Sequence, residues 1–207
     1  MDGVSTTIVI ILFVATIMSS FGDNKGFKQP AASVPNTEQY VSTVDQSMPE
    51  IPNPNYYETP GQDTQEDIKK YILKYRNGDE ARAIAASIMM YSKEYGVNPK
   101  LVAALMSRES RFNPQAVSSS GAVGLGQLLP STSSAMGLSD PYSIDQNAKG
   151  TVRYMSYLLS RFKKYQNQVC FALAGYLEGP NAIESKLGYT DHTRSYVSDI
   201  LKTYHNI

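Results

Sequence analysis

The residue of this 207-residue sequence best placed to trade a proton is Glu109. Asn98 followed by Pro99 reads as an N-cap with proline at the first helical position, and Leu101, Val102, Leu105 and Met106 continue one apolar face. Asn113-Pro114 then forces that helix to end near Ser110, which puts Glu109 in its last turn. A carboxylate there lies beside the partial negative charge of the exposed carbonyls, and Leu105 and Met106 one turn back add desolvation. Both disfavour ionisation, whereas Arg108 or Arg111 would oppose them if either reached the carboxyl. Holding the proton near pH 6 takes roughly 2.3 kcal/mol of environmental bias. Such a group is a general acid for a leaving oxygen, as glycosidic cleavage requires.

Other chemistries find less material. With one cysteine, Cys170, and two histidines, His192 and His205, no Cys/His zinc site can be assembled, and no metal or other cofactor is expected. Cys170 within VCFALA reads as a small buried residue. The nineteen basic and nineteen acidic residues cancel, so nucleic acid is not an expected partner. Trp is absent and Tyr numbers 15. Any stacking on a ligand therefore falls to Tyr or Phe.

Residues 109–130 read ESRFNPQAVSSSGAVGLGQLLP. This closely resembles the motif of the soluble, lysozyme-like (SLT-type) lytic transglycosylases, E-S-x-F-N-P-x-A-x-S-x-x-G-A-x-G-L-M-Q-x-x-P. Further blocks follow in order: Asp140-Pro141 with Asn147 and Tyr154 ahead of Leu158-Leu159, then LAGYLEGP at 173–180, then Thr193, Tyr196, Val197 and Ile200. The resemblance spans about residues 80–204. It implies an all-α, lysozyme-like domain that cleaves the β-1,4 bond between N-acetylmuramic acid and N-acetylglucosamine, with the peptidoglycan glycan strand as partner. Glu109 would be the single acid and base, with the sugar's own N-acetyl oxygen assisting. The muramic acid 6-hydroxyl would then close a 1,6-anhydro ring. By the same resemblance Ser118 and Gln127 hold sugar substituents, Tyr176 orients the glutamate through its hydroxyl, and Tyr196 stacks on a sugar face. Gly121, Gly124 and Gly126 would let the backbone approach a polysaccharide closely.

The chain departs from the pattern in three places. Gly126 stands where the family has Met, which is expected to remove an apolar wall and loosen sugar positioning. Leu177 and Glu178 replace an Asn-Ala pair. Glu178 reads as a surface residue or, facing the substrate, as a base that would activate water and make the protein an inverting muramidase. A weakly active peptidoglycan-binding protein is the third reading, motivated by Gly126 and Leu177.

The elements that must position these residues all read as helices. The expected spans are Asp67–Arg76, a segment capped by Asp79 and stopped at Gly96, the Pro99–Ser110 helix, Pro130–Met136, Asp145 to about Lys164, Val169–Leu177, Pro180–Leu187 and Thr193–Tyr204. The expected catalytic domain is 63–207, with seventeen basic against thirteen acidic residues. Ahead of it, residues 23–62 hold six of the eleven prolines and only five Leu, Ile, Val or Phe, the composition of a disordered tether. Residues 3–22 are uncharged and largely apolar, so 1–22 is either a cleaved signal peptide or a membrane anchor. The expected setting is the cell envelope, with a periplasmic or extracellular domain that opens the wall for turnover or for an envelope-spanning assembly.

Overall fold

A computed structural model describes residues 62–186 and 188–207. Among them the chain forms eight helices: α1 (Gln62–Ile72), α2 (Gly78–Tyr95), α3 (Pro99–Ser110), α4 (Pro130–Ala135), α5 (Ile144–Arg161), α6 (Gln168–Glu178), α7 (Pro180–Lys186) and α8 (Asp191–His205). The all-α expectation therefore holds for the described residues. The apolar leader and nearly all of the proline-rich segment lie outside them, and no described helix is long and apolar enough to cross a membrane.

Local chemistry sets most of the boundaries. Asn77, not Asp79, caps α2: its side chain accepts the amides of Asp79 and Glu80, and Gly96 ends the helix in the left-handed region at φ 68°. The two carboxylates then sit in the first turn, where the helix dipole favours them. Asn98 accepts from Lys100 N–H to start α3, Ser143 from Gln146 N–H to start α5, and Thr190 from Thr193 N–H to start α8. Helix α1 begins earlier than its pattern indicates and stops at Ile72, giving way to turns in which Tyr75 N–H bonds Ile72 O at 2.9 Å.

Helix α3 is the central element. Residues Leu101 to Met106 are consecutive and all 0% exposed, a run buried on every side of the helix rather than along one stripe. Helices α1, α2 and α8 pack around it, α5 lies along α2, and α6 touches α5, α7 and α8. The hydroxyl of Tyr91 on α2 donates to the Asp145 carboxylate of α5, with oxygens at 2.9 and 2.8 Å. Such a charge-assisted bond fixes the relative rotation of the two longest helices.

The end of α3 is where the fold bends the chain most sharply. Arg111 (φ 51°) and Phe112 (φ 59°) both occupy positive φ, an unfavourable conformation for side chains of that size. Two bonds close the end, Arg111 N–H to Ser107 O at 3.1 Å in the ordinary helical spacing and Phe112 N–H reaching back six residues to Met106 O at 3.4 Å. Phe112 is fully buried and meets the rings of Tyr71 and Tyr75 at 6.2 and 6.0 Å. Burial of that ring contributes about 2–3 kcal/mol, enough to offset the strained backbone. Arg76 Nε also donates to Arg111 O at 3.1 Å, so the segment after α1 braces the turn that follows Glu109.

Candidate functional site

Glu109 stands in the last turn of α3, as its sequence position requires, with its side chain only partly open to solvent. Burial pushes its carboxyl up, and the hydrogen bond from Tyr196 and the positive charge of Arg108 pull it down. Burial wins, and the group is pushed up to about 7. Arg108 opposes the shift without clasping the carboxyl. Its Nε faces Asp199 Oδ2 at 3.8 Å, and its guanidinium lies over the Tyr196 ring at 5.3 Å.

The structure brings Tyr196, rather than the expected Tyr176, to the Glu109 carboxyl. Tyr196, from α8, donates its hydroxyl to Glu109 Oε1. At 3% exposed and covered by Arg108, its ring has no open face for a sugar. Tyr176, from α6, donates instead to Gly126 O at 2.7 Å. Burial and the nearby Glu109 charge hold the Tyr176 hydroxyl well above its ordinary value, so it stays a donor. The register of α8 against α3 decides which tyrosine reaches the carboxyl, and spacing along one chain does not contain that register. Tyr196→Phe removes a bond that favours the ionised carboxyl. It is therefore expected to move the Glu109 titration, followed by carboxyl carbon NMR, to higher pH; a shift to lower pH would refute this assignment.

Residues 111–129 wrap against the end of α3. Ser110 Oγ donates to Leu125 O at 2.7 Å and accepts Asn113 N–H at 3.0 Å. Val123 and Leu128 exchange backbone bonds of 3.0 and 3.1 Å, and Gly124 N–H donates to Ala116 O at 2.9 Å. Within this loop Ser118 is partly exposed and works first as a turn residue: its Oγ accepts Ala122 N–H at 3.0 Å and sits 2.9 Å from Ser120 Oγ. Gln127, at φ 50°, ties its amide nitrogen to Ala116 O and Gly124 O at 3.1 Å each. That leaves Oε1 as the acceptor of this side chain that a ligand could use.

Asn147 of α5 is the loop's central anchor, and its type and spacing gave no such role. Fully buried, it accepts Gly126 N–H at 2.9 Å and donates to Val123 O at 3.0 Å and Pro141 O at 2.7 Å. The signal available in sequence was a polar residue on a helix face otherwise set by Ala148, Thr151 and Val152, since a buried amide must be bonded on both sides. Gly124 (φ 80°) follows from this packing, because a Cβ there would lie 2.2 Å from Asn147 Nδ2. At Gly126 a Cβ would lie 2.1 Å from Thr151 Oγ1 and 2.9 Å from the Tyr176 hydroxyl. The expected missing wall is thus corrected: Thr151 and Tyr176 fill that space, and Gly126 is buried.

The remaining candidates fall outside this constellation. Glu178 is engaged at both oxygens. Lys186 Nζ lies 2.8 Å from Oε2, and the Thr193 hydroxyl donates to Oε1. Burial raises its carboxyl, but the bonds from Lys186 and Thr193 outweigh it and hold the group below its ordinary value. Leu177 is 38% exposed. Burial pushes the Cys170 thiol up to about 11, which leaves it a poor nucleophile. His192 and His205 lie exposed on α8.

The profile described as "Transglycosylase SLT domain" matches residues 86–198, more than half of the chain. The chain belongs to the transglycosylase SLT domain family. The SLT match takes in Glu109, the loop, Asn147 and both tyrosines. The transglycosylase of Enterobacteria phage PRD1 is 32% identical over 111 residues, covering 54% of this chain and 39% of the phage protein. The membrane-bound lytic murein transglycosylase F of Desulfosudis oleivorans is 35% identical over 85 residues, covering 40% of this chain and 19% of that protein. The chain thus spans well under half the length of these relatives.

Two solved structures share the fold. An inactive variant of the lytic transglycosylase Slt from Pseudomonas aeruginosa aligns with 69% of this chain and 28% of its own, at TM-score 0.53 and 24% identity. The 70 kDa soluble lytic transglycosylase of Escherichia coli aligns with 70% of this chain and 28% of its own, at TM-score 0.53 and 21% identity. The expected lysozyme-like architecture agrees with both.

Proposed function

We propose that this chain is a peptidoglycan lytic transglycosylase in which Glu109 is the single acid and base. The observation that carries the reading is the Glu109 carboxyl itself, partly buried at the end of α3, bonded by Tyr196 and holding its proton up to about pH 7. SLT membership and the similarity to transglycosylases point the same way.

In the reaction Glu109 gives its proton to the glycosidic oxygen as the bond to the muramic acid anomeric carbon breaks. The neighbouring N-acetyl oxygen bonds to that carbon and carries the positive charge. The Glu109 carboxylate then removes the proton of the 6-hydroxyl, whose oxygen attacks the anomeric carbon and displaces the acetyl oxygen. The product is a 1,6-anhydro sugar, the proton is back on Glu109, and no water is consumed. Ser118 and the Gln127 Oε1 are proposed to bind sugar substituents. Tyr196 orients the carboxyl, and Tyr176 holds the backbone beside it.

The inverting muramidase reading needs a base that water can reach, and Glu178 has both oxygens bonded to Lys186 and Thr193. Residues 63–207 are proposed as the catalytic domain, either delivered to the cell envelope by a cleaved signal peptide in 1–22 or held there by a membrane anchor in 1–22 through the tether 23–62. The test is mass spectrometry of sacculi digested by the full chain. Products one water lighter than reducing-end muropeptides are expected. Reducing-end products would replace this reading with the hydrolase, and a chain that pelleted with sacculi but released nothing would replace it with the binding protein.

A further inference from the structure

Glu178 is the last residue of α6, where the helix dipole disfavours a carboxylate, and the motif this chain otherwise matches carries alanine there. Its partners explain the placement. The carboxylate reaches across to the first turn of α8, where the dipole favours it, and accepts the Thr193 hydroxyl while Lys186 of α7 closes on its other oxygen at 2.8 Å. Thr193 is 1% exposed, and Thr190 Oγ1 accepts its N–H at 3.3 Å. Three residues on, hence on the same helix face, stands Tyr196, which donates to Glu109. The end of α6 therefore touches the site twice, through Tyr176 on Gly126 O and through Glu178 on the helix that carries Tyr196.

We infer that Glu178 is a positioning residue for the reaction: by clamping the first turn of α8 to α6 it fixes Tyr196, and through Tyr196 it orients the Glu109 carboxyl. The role rests on the reading of Glu109 as the acid, yet it can be measured without turnover. The groups facing Glu109 are Tyr196 from α8, Tyr176 from α6 and Arg108 from its own helix, with Asp199 of α8 beside Arg108. Of these, Tyr196 is the one joined by a short helical stretch to the clamp. Its bond favours the charged carboxyl, so a looser α8 lets Glu109 hold its proton to higher pH.

The experiment is carboxyl carbon NMR of the full chain labelled on glutamate, with the Glu109 resonance identified by its loss in Glu109→Gln. Glu178→Ala and the near-isosteric Thr193→Val are expected to raise the Glu109 midpoint by about one pH unit, the scale of a weakened charge-assisted bond. Thr193→Ser keeps the hydroxyl and should keep the midpoint. In a Tyr196→Phe background Glu178→Ala should add nothing, because the path already ends there. Variants that melt cooperatively with an unmoved Glu109 midpoint would overturn the proposal, and so would a full shift that persists without the Tyr196 hydroxyl. If these shifts appear in a chain that releases no muropeptides, the clamp stands and the transglycosylase reading falls.

Discussion

Replacing Glu109 with glutamine is expected to end the release of muropeptides, by about 10²–10⁴-fold or beyond detection, and to make the protein more stable at pH 8 than the wild type. The first effect follows because glutamine has no proton to give at the glycosidic oxygen and no base to take one from the 6-hydroxyl. The second follows from linkage. Glu109 is raised from 4.5 to about 7 on folding, so the folded protein keeps a proton that the unfolded chain has released. For a carboxyl shifted upward, stability falls as pH climbs from about 4.5 to about 7, and the whole penalty is present above that. The shift corresponds to ~3 kcal/mol, and solvent contact at the open side of Glu109 reduces it to about 2 kcal/mol. Glutamine escapes this penalty and still offers an acceptor to the Tyr196 hydroxyl. The variant should therefore match the wild type near pH 4 and melt about 5 °C higher at pH 8. Thermal melts at the two pH values check it. Equal melting differences at both, or turnover retained by the variant, would contradict the assignment of Glu109.

The sequence and the structure agree where local chemistry governs. Asn98-Pro99 opens α3, Asn113-Pro114 lies beyond its end, and Gly96 closes α2. The position of Glu109 depends on nothing more, which is why it is legible from one segment. The α2 cap lies two residues before the expected Asp79 because Asn77, Asp79 and Glu80 are all acceptable near a helix start, and only the bonds of Asn77 show which one stands outside. That Tyr196 rather than Tyr176 meets the carboxyl has a different reason. Tyr176 and Tyr196 sit on α6 and α8, which pack on each other while α8 also packs on α3, so which hydroxyl reaches the carboxyl depends on contacts between residues far apart in the chain. Glu178 and Asn147 belong to the same class: the side-chain partners Lys186 and Thr193 of Glu178 lie on other helices, and Gly126, Val123 and Pro141, which Asn147 bonds, lie in the loop and before α5. Residue type alone shows that a buried amide or carboxylate must be answered, and it does not show by what.

Asn147→Asp, a change of one NH2 group for one oxygen, is expected to cost about 3–5 kcal/mol at pH 7 and to remove most activity. The replaced group faces Val123 O at 3.0 Å and Pro141 O at 2.7 Å, both acceptors. An ionised aspartate would turn a negative oxygen on two carbonyls in a fully buried site with no cation bonded to it. A protonated one could donate to a single carbonyl and would leave the other unanswered. The folded variant therefore favours the neutral acid, so the new carboxyl is shifted upward on folding. By the sign that applies to Glu109, its destabilisation must grow as pH rises above the unfolded value of about 3.9. Urea unfolding should accordingly show a smaller loss at pH 4 than at pH 7. The effect reaches the candidate site through one atom pair: Asn147 holds Gly126 N–H, and the carbonyl of the same glycine holds the Tyr176 hydroxyl at 2.7 Å. A loop freed at Gly126 no longer presents Gln127 or packs beside Glu109, so muropeptide release should fall even where the variant remains folded at low pH. A variant within about 1 kcal/mol of the wild type at pH 7, with activity intact, would mean that the loop is held by its backbone bonds and the end of Ser110 alone, and that Asn147 is not its anchor.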